Sequence, residues 1–297
     1  MHLDFYGCSS LEDMPVGVGQ LTSLRTLPSL VDLRNSLSIK FLGRVRAIGE
    51  RTPTNVVKRM KHLRQLSVEF GYGNHGDDDT GADLMTLETL DPHQNIERLR
   101  IKNYSGSRFP SWLVVENLDL LLPKLVDLHI EDCHKCQKLP PLWKLSSLQS
   151  LELRNLGGLE GYDVKFMQPS KTPTDERYYF SSLKQLELKG ISEKILKQIF
   201  CPPPHHPSPL CNLKELTVDS VEGLATMYVF KNLMSLQSLS IKICRNLVSL
   251  STCLTHLTSL ETLTIAYCPK LDLSNEEEMQ FQVPGTYQLS IFGSLKS

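Results

Sequence analysis

A preponderance of one charge sign is absent from this chain. Lys and Arg number 32 against 33 Asp and Glu, a net charge of −1 over 297 residues, and that balance argues against a nucleic-acid partner. Long apolar runs are missing as well. The longest, around Leu118 to Leu122, falls well short of the ~18 residues a membrane helix needs. Residues 1–8 hold neither a basic region nor an apolar core, so no export signal stands there and the cytoplasm is the expected location. No Ser/His/Asp set or carboxylate pair has a spacing that singles it out, and no enzyme is expected. A phosphate-binding loop, Gly-x-x-x-x-Gly-Lys-Ser/Thr, is absent too, and no cofactor is expected.

What is present is one short string, apolar-x-x-Leu-x-apolar, repeated eight times. It reads Leu63/Leu66/Val68, Ile96/Leu99/Ile101, Leu125/Leu128/Ile130, Leu148/Leu151/Leu153, Leu183/Leu186/Leu188, Leu213/Leu216/Val218, Leu236/Leu239/Ile241 and Leu260/Leu263/Ile265. Steps between the last residues, the anchors, are 33, 29, 23, 35, 30, 23 and 24, the self-similarity of a leucine-rich-repeat solenoid. The Leu-x-apolar core has period two, so both residues point to one side of a short strand. One such strand cannot bury its face alone. Stacked in parallel at about 4.8 Å, neighbouring strands build one apolar column. The expected fold is an α/β repeat solenoid, a horseshoe with a parallel concave β-sheet and irregular loops or short helices on the convex side. Three residues after the anchors, Cys133, Leu156, Ile191, Val221, Cys244 and Cys268 carry the apolar pattern onward, and Leu159, Leu224, Leu247 and Leu271 follow three later.

Cys8, Cys133, Cys244 and Cys268 fall on that inward position, where cysteine acts as a small hydrophobe. Buried thiols are the expectation, in keeping with a reducing compartment. Adjacent coils would set Cys244 and Cys268 about 5 Å apart between Cα atoms, within disulfide reach.

One repeat domain is expected over 1–297, with firm repeats across 63–271. Weak or truncated coils occupy 1–42 (Leu3/Phe5/Cys8/Leu11, then Leu37/Ile39/Leu42 with Arg34 in an apolar place) and 284–297 (Leu289/Ile291). The first coil reads as cut, which makes a piece of a longer chain the expectation. Insertions interrupt at 43–61, 71–90, 161–180 and 200–210. Within the second, 71–83 reads as an acidic, turn-rich loop and Leu84 to Leu90 as a short amphipathic helix on the convex side. The prolines of the last forbid helix or central strand.

Several motifs tempt. Gly71, Gly73 and Gly76 match the dinucleotide fingerprint, but three aspartates follow where a phosphate-receiving helix should open. Asp77, Asp79, Asp83 and Glu88 have calcium-loop spacing, yet Gly81 and Ala82 remove a ligand and the turn glycine. His129, Cys133, His134 and Cys136 suggest zinc, but the cysteines lie inward and His129 outward. Cys201, His205, His206 and Cys211 form a looser set in the proline-rich insertion. No metal is expected from either group. Asn103-Tyr-Ser105 is a glycosylation sequon that a cytoplasmic chain would not use.

Residues alternating with the buried leucines form the concave face. Its candidate protein-binding residues are Arg98, Arg100, Lys102, Asp127, His129, Glu131, Glu152, Arg154, Glu187, Lys189, Glu215 and Asp219. In-register stacking makes Arg98–Asp127, Lys102–Glu131 and Glu131–Arg154 opposite-charge neighbours. Two readings stand: a solvated face, and a binding surface that grades from basic at Arg98, Arg100 and Lys102 to nearly neutral at Thr262 and Thr264. On this register Leu128→Ala opens a core cavity, whereas Glu131→Ala stays within about ±0.5 kcal/mol.

Three stretches carry a resemblance: Met14–Leu27 (MPVGVGQLTSLRTL), Tyr104–Leu113 (YSGSRFPSWL) and Cys133–Leu153 (CHKCQKLPPLWKLSSLQSLEL). They resemble the leucine-rich-repeat region of plant intracellular disease-resistance proteins of the coiled-coil, nucleotide-binding class. The resemblance implies a cytoplasmic immune receptor whose repeats sense a pathogen effector or a guarded host protein and hold the receptor's own nucleotide-binding domain inactive. Lacking the phosphate-binding loop, this chain is not expected to bind or hydrolyse ADP or ATP by itself. The alternatives are a substrate-adaptor repeat protein of the ubiquitin system, for which no F-box is visible, a secreted repeat receptor, and a non-functional receptor fragment.

Overall fold

Each string becomes a strand because its two apolar residues can be buried only from one side of an extended backbone. A computed structural model of the chain describes residues 35–40, 56–71, 80–163, 179–200, 210–250, 254, 256–272 and 288–292. Ten strands form one parallel sheet: β1 (Asn35–Lys40), β2 (Leu63–Glu69), β3 (Arg98–Lys102), β4 (Asp127–Glu131), β6 (Ser150–Arg154), β8 (Gln185–Lys189), β9 (Glu215–Asp219), β10 (Ser238–Lys242), β11 (Thr262–Ala266) and β12 (Gln288–Phe292). A pair of two-residue strands, β5 (Lys138–Leu139) and β7 (Gly161–Tyr162), lies outside it. The leucines of the strings stand in register, as in Leu99↔Leu128↔Leu151↔Leu186↔Leu216. Leu37 and Ile39 of the weak coil are buried in β1, and Leu289 and Ile291 lie in β12. The coil of Leu3 to Leu11, Arg34 and Leu42 lies outside the described residues.

Behind the sheet, the apolar residues named at the two later inward positions, from Cys133, Leu156 and Leu159 to Cys268 and Leu271, are all buried. Between anchor and inward residue the chain must turn, and it does so through a left-handed residue two places after the anchor. Asn103, Asp132, Asn155, Gly190, Ser220, Ile243 and Tyr267 all have φ between 53° and 58°. In that conformation each N–H from Asn103 to Ile243 reaches the strand end of the next coil: Asn103 N donates to Glu131 O at 3.0 Å, Asp132 N to Arg154 O at 3.0 Å and Asn155 N to Lys189 O at 2.8 Å. Short polar residues and glycine tolerate this region, whereas a β-branched or aromatic residue such as Ile243 or Tyr267 costs about 1–2 kcal/mol there. At Gly190 a Cβ would also lie 2.6 Å from Asn155 Oδ1. The sequon asparagine is thereby explained: Asn103 is buried and donates through Nδ2 to Phe70 O at 3.2 Å, so its nitrogen is occupied.

Helices and loops cross on the far side. Residues 43–55 lie outside the described residues, and the rest of that insertion contains the short helix α1 (Val56–Arg59). The helix expected from Leu84 begins earlier, as α2 (Thr80–Glu88). Asp83 explains the shift: in the first turn its carboxylate favours the helix N-terminus, and it accepts from Ser105 Oγ at 2.6 Å. Glu88 accepts from Ser111 Oγ at 2.6 Å, and Trp112 Nε1 donates to Leu87 O at 3.0 Å. The Tyr104–Leu113 stretch is therefore the seat of α2. After α3 (Leu118–Leu121), one helix is unforeseen by the string pattern: α4 (Glu193–Phe200) buries Ile195, Leu196, Ile199 and Phe200, the i, i+1, i+4, i+5 face of a helix. No helix among the described residues is long and apolar enough to cross a membrane.

Candidate protein-binding face

Residues between the buried leucines leave the sheet outward in three columns. From β3 to β9 the first runs Arg98, Asp127, Ser150, Gln185, Glu215; the second Arg100, His129, Glu152, Glu187, Thr217; the third Lys102, Glu131, Arg154, Lys189, Asp219. Six ionisable residues join across four strands. Lys102 Nζ pairs with Glu131 Oε2. The same oxygen is 3.0 Å from His129 Nε2, and His129 Nδ1 is 2.5 Å from Glu152 Oε2. Arg154 then spans two carboxylates, with one nitrogen 3.2 Å from Glu152 and its Nε 2.9 Å from Glu187, the latter an ion pair rather than an aligned hydrogen bond. Lys189 and Asp219 form a separate pair at 3.6 Å.

This network corrects the expected ladders. Lys102–Glu131 forms, but Glu131 turns to His129 rather than Arg154. The reason is local repulsion: Glu152 and Glu187 stand directly opposite in register, like charges so placed are unfavourable, and Arg154 is within reach of both. Arg98 and Asp127 also stand opposite, yet among the described residues they form no ion pair. His129 is corrected as well. It sits on the outward face but is only 4% exposed, because its ring lies between two carboxylates.

Burial works against the charge on Glu131, but hydrogen bonds from Lys102 and His129 outweigh it and hold the carboxyl down at about 2. In the unfolded chain the same group takes a proton near 4.5. Its contribution to stability is therefore complete above about 4.5 and is lost as pH falls toward 2. Glu131→Ala is consequently not neutral. It leaves a buried imidazole nitrogen without its acceptor and costs about 1 kcal/mol at pH 7. Denaturant melts of the variant and the parent should converge as pH is lowered through that window; a gap that persists unchanged would remove Glu131 from the network.

With these pairs formed, the accessible charges are few. Arg98 and Arg100 are exposed, and among the described residues neither forms an ion pair. Glu215 is exposed and accepts from Gln185 Nε2 at 3.1 Å. Beside it, Glu152, Gln185, Glu187, Glu215 and Thr217 line a depression of about 170 Å³. Clefts that enclose small molecules are larger, about 300–1,000 Å³. Gln185 and Thr217 share the outward register, and a selection by charge passes over them.

Of the other motifs, the zinc-like set around Cys133 does not converge. Cys133 Sγ points to Glu131 O at 3.4 Å and Cys136 Sγ to Gly106 O at 3.2 Å, while His134 is exposed. Asp83 and Glu88 are held by serines, and Asp77, Asp79, Gly73 and Gly76 lie outside the described residues, as do Cys201, His205 and His206.

Comparison with known proteins agrees with this architecture. Residues 24–156 match the R13L1/DRL21 leucine-rich repeats. The chain is 28% identical to the putative disease resistance RPP13-like protein 1 of Arabidopsis thaliana, over 84% of this chain and 26% of that protein. It is 30% identical to the putative disease resistance protein RGA1 of Solanum bulbocastanum, over 82% of this chain and 29% of that protein. The chain thus spans between a quarter and a third of the length of these relatives. Among solved structures, the leucine-rich repeat domain of the type III effector XCV3220 (XopL) aligns with a TM-score of 0.42 and 17% identity, over 90% of this chain and 71% of that one. Residues 95–245, half of the chain, match the leucine-rich repeats of RPS2-like plant disease resistance proteins, and the chain belongs to that family.

Proposed function

We propose that this chain is the recognition and regulatory module of an intracellular plant immune receptor. It acts in the cytoplasm, supplies no chemistry or cofactor, and binds protein: a pathogen effector or guarded host protein, and the receptor's own nucleotide-binding domain. The observation that carries the reading is the outward face of the sheet, where an internal ion network leaves Arg98 and Arg100 exposed and unpaired among the described residues. Stacked repeats use such surfaces for binding, and unpaired arginines give a partner's carboxylates bidentate donors without first breaking a pair. Lys102, already held by Glu131, is secondary.

The test is capture of this chain by a separately expressed nucleotide-binding domain of the receptor. Wild type should be retained, and the Arg98→Glu/Arg100→Glu double variant should be retained at least about tenfold less, as expected when two charged contacts of ~1 kcal/mol or more are reversed. A folded double variant that is captured as well as wild type would rule out this patch.

A further inference from the structure

Cys244 and Cys268 are the one pair of described cysteines that share an inward position on adjacent coils. Their strands are in register through Lys242↔Ala266. Both coils then turn through a left-handed residue, Ile243 at φ 53° and Tyr267 at φ 57°, and Ile243 N donates to Ala266 O at 2.9 Å. Two backbones that leave one register by the same turn keep their strand spacing of about 4.8 Å, inside the ~4.4–6.8 Å Cα separation that a disulfide spans. The side chains match too. Cys244 Sγ lies 3.4 Å from Lys242 O and Cys268 Sγ lies 3.6 Å from Ala266 O, the same contact one coil apart. Both are free thiols in this structure. Cys133, by contrast, has Tyr104 and Leu156 as its neighbours in that column, and its partner there cannot be sulfur.

We infer that Cys244 and Cys268 form a peroxide-sensitive dithiol that closes to a disulfide between the coils of β10 and β11. Cys268 is the sulfur that reacts first. It keeps slight exposure while Cys244 has none, and the neighbouring Cys244 thiol holds it below the ordinary thiol value despite burial. Its thiolate attacks one oxygen of hydrogen peroxide; the O–O bond breaks, hydroxide leaves and takes a proton as water, and Cys268 becomes a sulfenic acid. Cys244 sulfur then attacks that sulfur. The S–O bond breaks, hydroxide departs with the Cys244 proton as a second water, and the S–S bond forms. Two thiols are oxidised and one peroxide is reduced to two waters. The cross-link ties two successive coils together and removes freedom from the unfolded chain.

The experiment uses the full chain carrying Cys211→Ser, which removes an exposed thiol. Reduced protein is treated with hydrogen peroxide, alkylated and digested with trypsin. The expected product is the tripeptide Ile243–Arg245 linked through Cys268 to Asn246–Lys270, with tandem fragmentation separating Cys268 from Cys253. The oxidised chain should melt at higher temperature than the reduced one, and Cys268→Val, whose side chain fits a column that already holds Val221, should abolish both the link and the shift. Cys244 and Cys268 that both remain alkylatable, or a Cys268 that advances to sulfinic acid without the link, would overturn the inference.

Discussion

Leu128→Ala should lose about 2–5 kcal/mol of unfolding free energy. Leu128 is fully buried on the inward face of β4, between Leu99 and Leu151 in the same column. The cost has two parts: the transfer energy of the deleted methyls, and the cavity left where neighbours cannot close in. Closing in is difficult here because both flanking leucines are fixed by ladders on two sides. Arg98→Ala is the control. It truncates an exposed side chain on the adjoining strand and should stay within about ±0.5 kcal/mol. Denaturant melts with equal m-values check both; similar losses in the two variants would overturn the assignment of inward and outward faces.

Gly158→Ala should cost about 2–3 kcal/mol, while Gly157→Ala beside it should be nearly silent. A Cβ at Gly158 would sit 2.1 Å from His134 O, 3.1 Å from the same carbonyl carbon and 3.3 Å from Cys136 O. These are backbone atoms of the preceding coil, held by that coil's own packing, so the added methyl must push two coils apart. At Gly157 nothing lies within 4 Å of the same atom. Thermal melts of the two single variants separate close approach from the general cost of replacing glycine. Equal stability in both would mean that the coils of β4 and β6 are not in this contact.

The strands were legible because period two is unambiguous when the same string recurs, and the register followed from aligning the anchors. Cys133, Cys244 and Cys268 could be placed in the core for the same reason. The left-handed column was half legible: Asn103, Asp132, Asn155 and Gly190 are residues that favour φ > 0, but Ile243 and Tyr267 are not, and at Ile243 it is the hydrogen bond to Ala266 O of the next coil that favours the turn. The start of α2 was hidden because Asp83 reads as loop until Ser105, from the following coil, is seen to hold it. α4 carried its own signal in the spacing of Ile195, Leu196, Ile199 and Phe200, obscured by the prolines that follow. On the candidate face, register names which charges are neighbours but not which neighbour each chooses. Glu131 has Lys102 on one side and Arg154 on the other, and the choice depended on the repulsion between Glu152 and Glu187, one and two strands away.

Carboxyl footprinting of the complex with the nucleotide-binding domain tests the central claim most directly, because it reports which face is covered. Recognition through the outward columns predicts that Asp127 and Glu215 lose labelling on binding, while Glu116, beside α3 on the opposite side, keeps it. Protection of Glu116 with Asp127 and Glu215 unchanged would contradict it.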